Sequence, residues 1–161
     1  MDSDPDLAFR RAMSAFATGV TVVTAARAGG SVSGITVNSL TSVSLRPRLL
    51  LWCLGDQSAR YDVFAEAETW GVTVLGAAEE AVAHRFARAE TETVAADEMS
   101  QFSGAPVLKL GVAHFACRTH VRYVAGDHLI IVGEVTDLRV EPGAALTFFR
   151  GRYGRTPDIG S

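Results

Sequence analysis

The chain has 161 residues, 48% of them hydrophobic and 20% charged, with a formal net charge of −3. That length and balance fit one domain, residues 1–161 with a core of about 7–153, able to bury an interior without metal or disulfide staples. Disordered and fibrous classes are set aside. The acidic balance, without a long Lys/Arg run, disfavours nucleic-acid binding.

The acidic start Met1-Asp2-Ser3-Asp4-Pro5-Asp6 is unlike a secretion signal, and the longest apolar run, Leu49 to Leu54, is too short to cross a bilayer. A cytoplasmic location away from membranes is expected. Asp4 can cap a first helix with Pro5 in its first turn, and Phe9, Ala12, Met13 and Phe16 form one apolar stripe that Gly19 ends. Val20 to Ala25 is β-rich, and Gly29-Gly30 marks a turn. Gly34 to Ser44 reads as a second extended segment and Leu49 to Leu54 as a third. Ser58 is placed to cap a short helix carrying Tyr61 and Phe64. Trp70 to Leu75 is another strand. Residues 79–89 form a helix whose early Glu79 and Glu80 and late His84, Arg85 and Arg88 match its dipole.

A short helical turn is expected over 97–102. From His114 to Tyr123 the chain alternates, so His114, Ala116, Arg118, His120 and Arg122 are predicted on a wet face and Phe115, Cys117, Thr119, Val121 and Tyr123 on a buried one. Gly126-Asp127 turns the chain into a hairpin partner from His128 to Val135. Leu138 to Val140 and Leu146 to Phe149 are short late strands. Strands joined by short turns, with few helices, predict an antiparallel β-barrel with peripheral helices rather than a parallel α/β sheet.

Several chemistries lack their signatures. There is no GxGxxG after a strand, no GxxxxGK[ST], no HExxH and no GxSxG. Four histidines, His84, His114, His120 and His128, are scattered over separate elements, so no metal centre is expected. Cys53 and Cys117 lie in apolar segments and read as buried free thiols.

Residues 36–44, Thr-Val-Asn-Ser-Leu-Thr-Ser-Val-Ser, are crowded with hydroxyls although apolar strands flank them. Thr36, Asn38, Ser42 and Ser44 would share one face, and Ser39 and Thr41 the other. Buried polar groups need partners, so such a row fits a polar ligand, and a flavin offers matching acceptors, a donor and a phosphate. A solvent-facing Ser/Thr strand fits the pattern equally well.

The motif order adds a resemblance. Phe9-Arg10-Arg11-Ala12-Met13, then residues 16–25, then Gly34-Ile35-Thr36-Val37-Asn38-Ser39-Leu40-Thr41-Ser42-Val43-Ser44-Leu45, resemble the opening of the short-chain flavin reductases. Arg85-Phe86-Ala87, Gly104-Ala105-Pro106-Val107-Leu108 and Ala125-Gly126-Asp127-His128 follow in family order. The resemblance covers about Leu7 to Tyr153. It departs where the family has an acidic residue and two prolines and this chain has Leu45-Arg46-Pro47-Arg48, and in a short polar tail.

The resemblance implies a split β-barrel, mainly β with α, antiparallel and Greek-key-like. It implies an NAD(P)H:flavin oxidoreductase that reduces FMN or FAD with NADH or NADPH and supplies the product, by diffusion, to a partner monooxygenase. Thr36, Asn38 and Ser39 would meet the flavin ring, Ser42 and Ser44 its ribityl chain and phosphate, and Ser58 the phosphate. Phe86 would border the flavin, and Tyr153 would close the pocket. Gly126, Asp127 and His128 would face the nicotinamide, with His128 the catalytic candidate. A homodimer is implied, with each flavin near the subunit interface and Trp52 and Phe148 either contributing to it or lying in the ordinary core. The alternatives are a flavin-binding protein without reductase activity and an FMN-dependent oxidase on the same barrel.

Overall fold

The computed structural model describes residues 4–89 and 93–159. Helix α1 (Pro5–Ser14) starts as its sequence demands: the Asp4 carboxylate accepts from the Asp6 N–H at 3.0 Å, and Pro5 fills the first turn. It ends at Ser14, five residues before Gly19, and buries none of its residues. The apolar stripe is therefore exposed, with Phe9 at 67%, Met13 at 52% and Phe16 at 70%.

Strands β1 (Thr18–Gly19), β2 (Thr21–Ala26), β3 (Val32–Val37), β4 (Thr41–Leu45) and β5 (Arg48–Gly55) follow, then helix α2 (Tyr61–Glu66), β6 (Thr69–Val74) and helix α3 (Glu80–Ala87). The second half holds β7 (Thr93–Val94), β8 (Met99–Phe102), β9 (Ala105–Leu108), β10 (Ala113–Ala125), β11 (His128–Val140), β12 (Leu146–Phe149) and β13 (Arg152–Arg155). The main sheet runs β4-β5-β11-β10-β6-β2-β3-β7. A smaller sheet runs β1-β12-β13, and β8 pairs with β9. Every strand pair in these sheets is antiparallel.

Thr21 to Ala25 in β2 and Trp70 to Thr73 in β6 are buried on both faces, which is why they read as continuous apolar runs. One core lies under α2, where Trp52 meets Phe64 and Trp70 edge to face at 5.4 and 6.0 Å. The other lies under α3 and joins Val20, Val22, Leu75, Phe86, Leu108 and Leu146. Gly71 marks the closest backbone approach: a Cβ there would sit 1.9 Å from the Pro106 carbonyl oxygen, which also accepts from the Thr24 hydroxyl at 2.6 Å. Only glycine lets β9 cross β6 at that point.

The structure corrects five local expectations. Residues 34–44 are two strands, broken at Asn38-Ser39-Leu40, so the two-face reading of that segment fails past Val37. Residues 96–98 form a 3₁₀ turn, and 99–102 are strand. Leu138 to Val140 continue β11, and Arg152 to Arg155 form an additional strand. Trp52 is fully buried, the ordinary-core alternative for that residue. His114 is 1% exposed rather than wet, with Nε2 at 3.0 and 2.7 Å from the Leu108 and Leu110 carbonyl oxygens. A register shift between Ala116 and Cys117 is the cause: before it the even positions point inward, and after it Cys117 does.

Candidate functional site

An open groove of about 800 Å³ runs between α1 and the break after β3. Phe9, Arg10, Met13 and Phe16 form one wall, Thr18 and Phe148 the floor, and Asn38, Ser39, Leu40 and Thr41 the other wall. A smaller hollow of about 170 Å³, lined by Val20, Thr36, Val37, Asn38, Ala87, Phe148 and Tyr153, shares Asn38 and Phe148 with it. The α1 stripe thus faces a concavity instead of the core, which explains an amphipathic helix that buries nothing.

Four of the expected site residues meet here: Thr36, Asn38, Ser39 and Tyr153. Two of their hydroxyls hold the scaffold. Thr36 Oγ1 donates to the Ala83 carbonyl at 2.8 Å, tying β3 to α3, and Ser39 Oγ accepts from the Cys53 N–H at 2.9 Å, tying the break to β5. Asn38 stands at the junction of the two hollows. Tyr153 pairs with Phe148 across β12 and β13, with ring centroids 5.2 Å apart, and meets His84 edge to face at 4.8 Å. Burial, and then the charge of Glu80, push the Tyr153 phenol above its ordinary pKa, so it remains an O–H donor.

The hydroxyl of Thr18 is the residue-level signal that sequence reasoning missed. Its Oγ1 is fully buried and has no hydrogen-bond partner among the described residues, and the residue itself borders the groove. A buried orphan acceptor and donor of this kind is rare and costs free energy until something pairs with it. Arg10, Phe16 and Phe148 also line the groove. Arg10 and Phe16 lie in segments that the sequence singled out by their family resemblance, the Phe9–Met13 motif and residues 16–25, and Phe148 in the late strand 146–149.

The other expected residues stand apart from this groove. Ser42 is exposed, and Ser44 Oγ accepts from the Arg46 N–H at 3.2 Å in the turn before β5. Arg46 and Arg48 are exposed. Ser58 lies two residues ahead of the Arg60 N-cap of α2, and its Oγ accepts from the Arg60 N–H at 3.2 Å, leaving its proton to donate. Phe86 is 1% exposed and packs on Gly34, where a Cβ would come within 2.8 Å of its ring; the neighbouring Ala87 is what borders the hollow.

Gly126 turns the β10–β11 hairpin with φ +61. Asp127 and His128 follow it, with His128 Nδ1 at 2.7 Å from the Asp127 carboxylate. The Asp127 carboxyl is held below the usual range, chiefly by that hydrogen bond, then by the imidazole charge, and at longer reach by Arg10. Arg10 therefore relates the hairpin to the groove it lines. An ionised carboxylate only accepts, so Nδ1 carries the proton and Nε2 is left for another partner. That Nε2 would lie 3.7 Å from a Cβ at Gly55. The Asp56 N–H donates to the Asp127 carbonyl at 2.9 Å, fastening the hairpin to the loop that carries Ser58.

The two cysteines are free. Burial pushes the Cys117 thiol up to about 12 and raises that of Cys53, so neither is an activated nucleophile. Among the described residues no helix is long and apolar enough to cross a membrane.

An apolar groove with few polar groups, no activated nucleophile and a satellite His–Asp pair suits binding of a planar conjugated ligand. Residues 13–157 match the model of the flavin reductase like domain. The chain belongs to that family. It is 42% identical over 147 residues to the FMN reductase (NADH) SmoA of Agrobacterium fabrum, covering 91% of this chain and 84% of that protein. It is 37% identical over 145 residues to the reductase component of the flavin-dependent trigonelline monooxygenase of Acinetobacter baylyi, covering 89% of this chain but 47% of that one. The solved structure of the NADH:FAD oxidoreductase SgcE6 of Streptomyces globisporus superposes with a TM-score of 0.86 at 36% identity, covering 99% of this chain and 98% of that one. The antiparallel split barrel expected from the sequence is the fold of this flavin reductase family member.

Proposed function

We propose that this flavin reductase family member is an NAD(P)H:flavin oxidoreductase that reduces FMN or FAD, with NADH favoured as the reductant. The carrying observation is the groove walled by Phe9, Phe16 and Phe148 and edged by Asn38, with the orphaned Thr18 hydroxyl buried beneath its lining. An aromatic ring system with hydrogen-bonding edges fits those groups, and the residues present therefore suit a flavin. The relatives' names, FMN reductase (NADH) and NADH:FAD oxidoreductase, support the same chemistry.

When bound, the flavin supplies the hydride-accepting centre, and the protein supplies position and field. Asn38 would orient the ring edge, with Thr36 and Ser39 keeping β3 and the break in place. The side chains of Phe16 and Phe148 exclude water from the ring faces. Tyr153, protonated and held between Phe148 and His84, closes the inner end. Ser58, with Ser42 and Ser44 at the β4 edge, would meet the ribityl chain and phosphate. His128, its Nδ1 held by Asp127, would present Nε2 toward the nicotinamide. The Asn38 amide would offer a hydrogen-bond donor to the ring edge, a placement that favours negative charge on a bound flavin.

The outward face of β5, β11 and β10 presents Leu51, Cys53, Ile130, Val121 and Tyr123 in adjacent registers. Such an apolar sheet face fits a second copy of the chain, so a homodimer acting as one domain per subunit is part of this reading. A partner oxygenase would receive the diffusing reduced flavin, a role the trigonelline monooxygenase relative supports. Free thiols suit a cytoplasmic location.

The test is NADH and NADPH consumption by the purified protein with FMN, with FAD and with no added flavin. Turnover that requires added flavin is expected. Flavin binding without turnover would leave a non-reductase flavoprotein, and reduction of oxygen by tightly held flavin would indicate an oxidase.

A further inference from the structure

Arg60 is 4% exposed, the only arginine in the buried class among the described residues. Burying a guanidinium is costly unless its donors find strong acceptors. Arg60 finds them in the last turn of α3, where carbonyls run out of helical partners. Its Nη1 donates to the Phe86 carbonyl at 2.9 Å, and its Nη2 donates to that of Arg88. Arg60 also stands at the start of α2, and its own N–H donates to Ser58 Oγ. The Ser58 N–H in turn donates to the Gly55 carbonyl at 3.1 Å, and Asp56 is bonded to Asp127. One buried side chain thus closes a continuous path from the Asp127-His128 turn, through residues 55–60, to the end of α3. Ala87, between the two carbonyls it grips, lines the inner hollow.

We propose that Arg60 is a positioning residue for flavin binding: it locks the Ser58 turn against the end of α3, so that the phosphate of FMN or FAD meets a preformed seat. This rests on the reading that Ser58 meets the flavin phosphate. These two hydrogen bonds tie the 55–60 loop to residues 86–88, so loosening Arg60 weakens that tie. A loosened seat loses affinity for the phosphorylated tail but not for the ring, a pattern general misfolding does not give.

The experiment compares KM for FMN with KM for riboflavin, which lacks the phosphate, in the full chain and in Arg60→Lys, Arg60→Met and Ser58→Ala. Lys keeps the charge and the stem but cannot span both carbonyls. The FMN-to-riboflavin KM ratio is expected to rise about tenfold in Arg60→Lys, as expected for losing one charge-assisted hydrogen bond, and further in Arg60→Met. A ratio within about twofold of the parent in both Arg60 variants, with Ser58→Ala raising it, would overturn the role of Arg60 alone. A ratio unmoved in all three variants would remove the phosphate from the Ser58 turn as well. If the Arg60 variants fail to fold, amide hydrogen exchange of the parent protein decides. FMN, but not riboflavin, is expected to protect residues 55–60 and 86–88 together, and protection of neither segment overturns the proposal.

Discussion

His128 and Asp127 illustrate how much one pair of side chains can be asked to do. Both are exposed, so their pairing contributes orientation and not measurable stability. The sign of the Asp127 shift matters. A carboxyl held low stays ionised to lower pH than an ordinary aspartate, and its grip on Nδ1 is lost as pH falls through that lowered value. The imidazole therefore keeps one orientation throughout neutral and mildly acidic pH. Replacing His128 with Ala should slow NADH oxidation by about tenfold to a hundredfold, the scale of one positioning and proton-handling group, while flavin affinity stays within a few fold. Steady-state kinetics alongside flavin titration separates the two, and unimpaired turnover would strike His128 from the catalytic residues. Thr18 is the opposite case: its buried hydroxyl has no partner among the described residues.

At the scale of elements, α1 is the unusual part. It is properly capped and amphipathic, yet its apolar side chains look into the groove. Phe16→Ser should consequently leave the thermal midpoint within a few degrees, because little buried area is lost, and should raise the flavin KM several fold. A melt lowered by as much as a core phenylalanine truncation would instead make Phe16 structural. The sequence made the start of α1 legible through Asp4 and Pro5, and the β2–β3 hairpin through Gly29-Gly30, because those signals are local. The inward His114 was not legible, since a register shift in β10 carries no residue code and is imposed by pairing with β11. The break at Asn38 was hidden for a similar reason: Ser and Thr favour extended backbone on both sides of it. Thr36, Asn38, Ser39 and Tyr153 were legible as neighbours through family order, whereas Phe86 was one residue off the surface that Ala87 supplies. Arg60 had no sequence signal, because its acceptors are backbone carbonyls more than twenty-five residues away.

The whole molecule is built around β2, which gives Val23 and Ala25 to one core and Val22 to the other, with the groove opening beside the residues that precede it. The outer sheet face is a further apolar surface, and Tyr123, at 57% exposure, extends it along the hairpin that carries His128. Light scattering should therefore give twice the chain mass, and Leu51→Asp should shift the protein to a monomer by burying an unpaired charge at that face. A parent protein that is monomeric at micromolar concentration would detach the groove from any second subunit. The break after β3 has its own bearing on the assembly. Ladder pairing stops at Val37 and resumes at Thr41, while Thr36 and Ser39 are pinned to α3 and β5 from either side. The three residues between are a short bridge clamped at both abutments, with main-chain groups released from the sheet yet little freedom left to lose. A guest settling against them orders almost nothing new, so its grip is set by fit and not by the entropy of folding a loop around it.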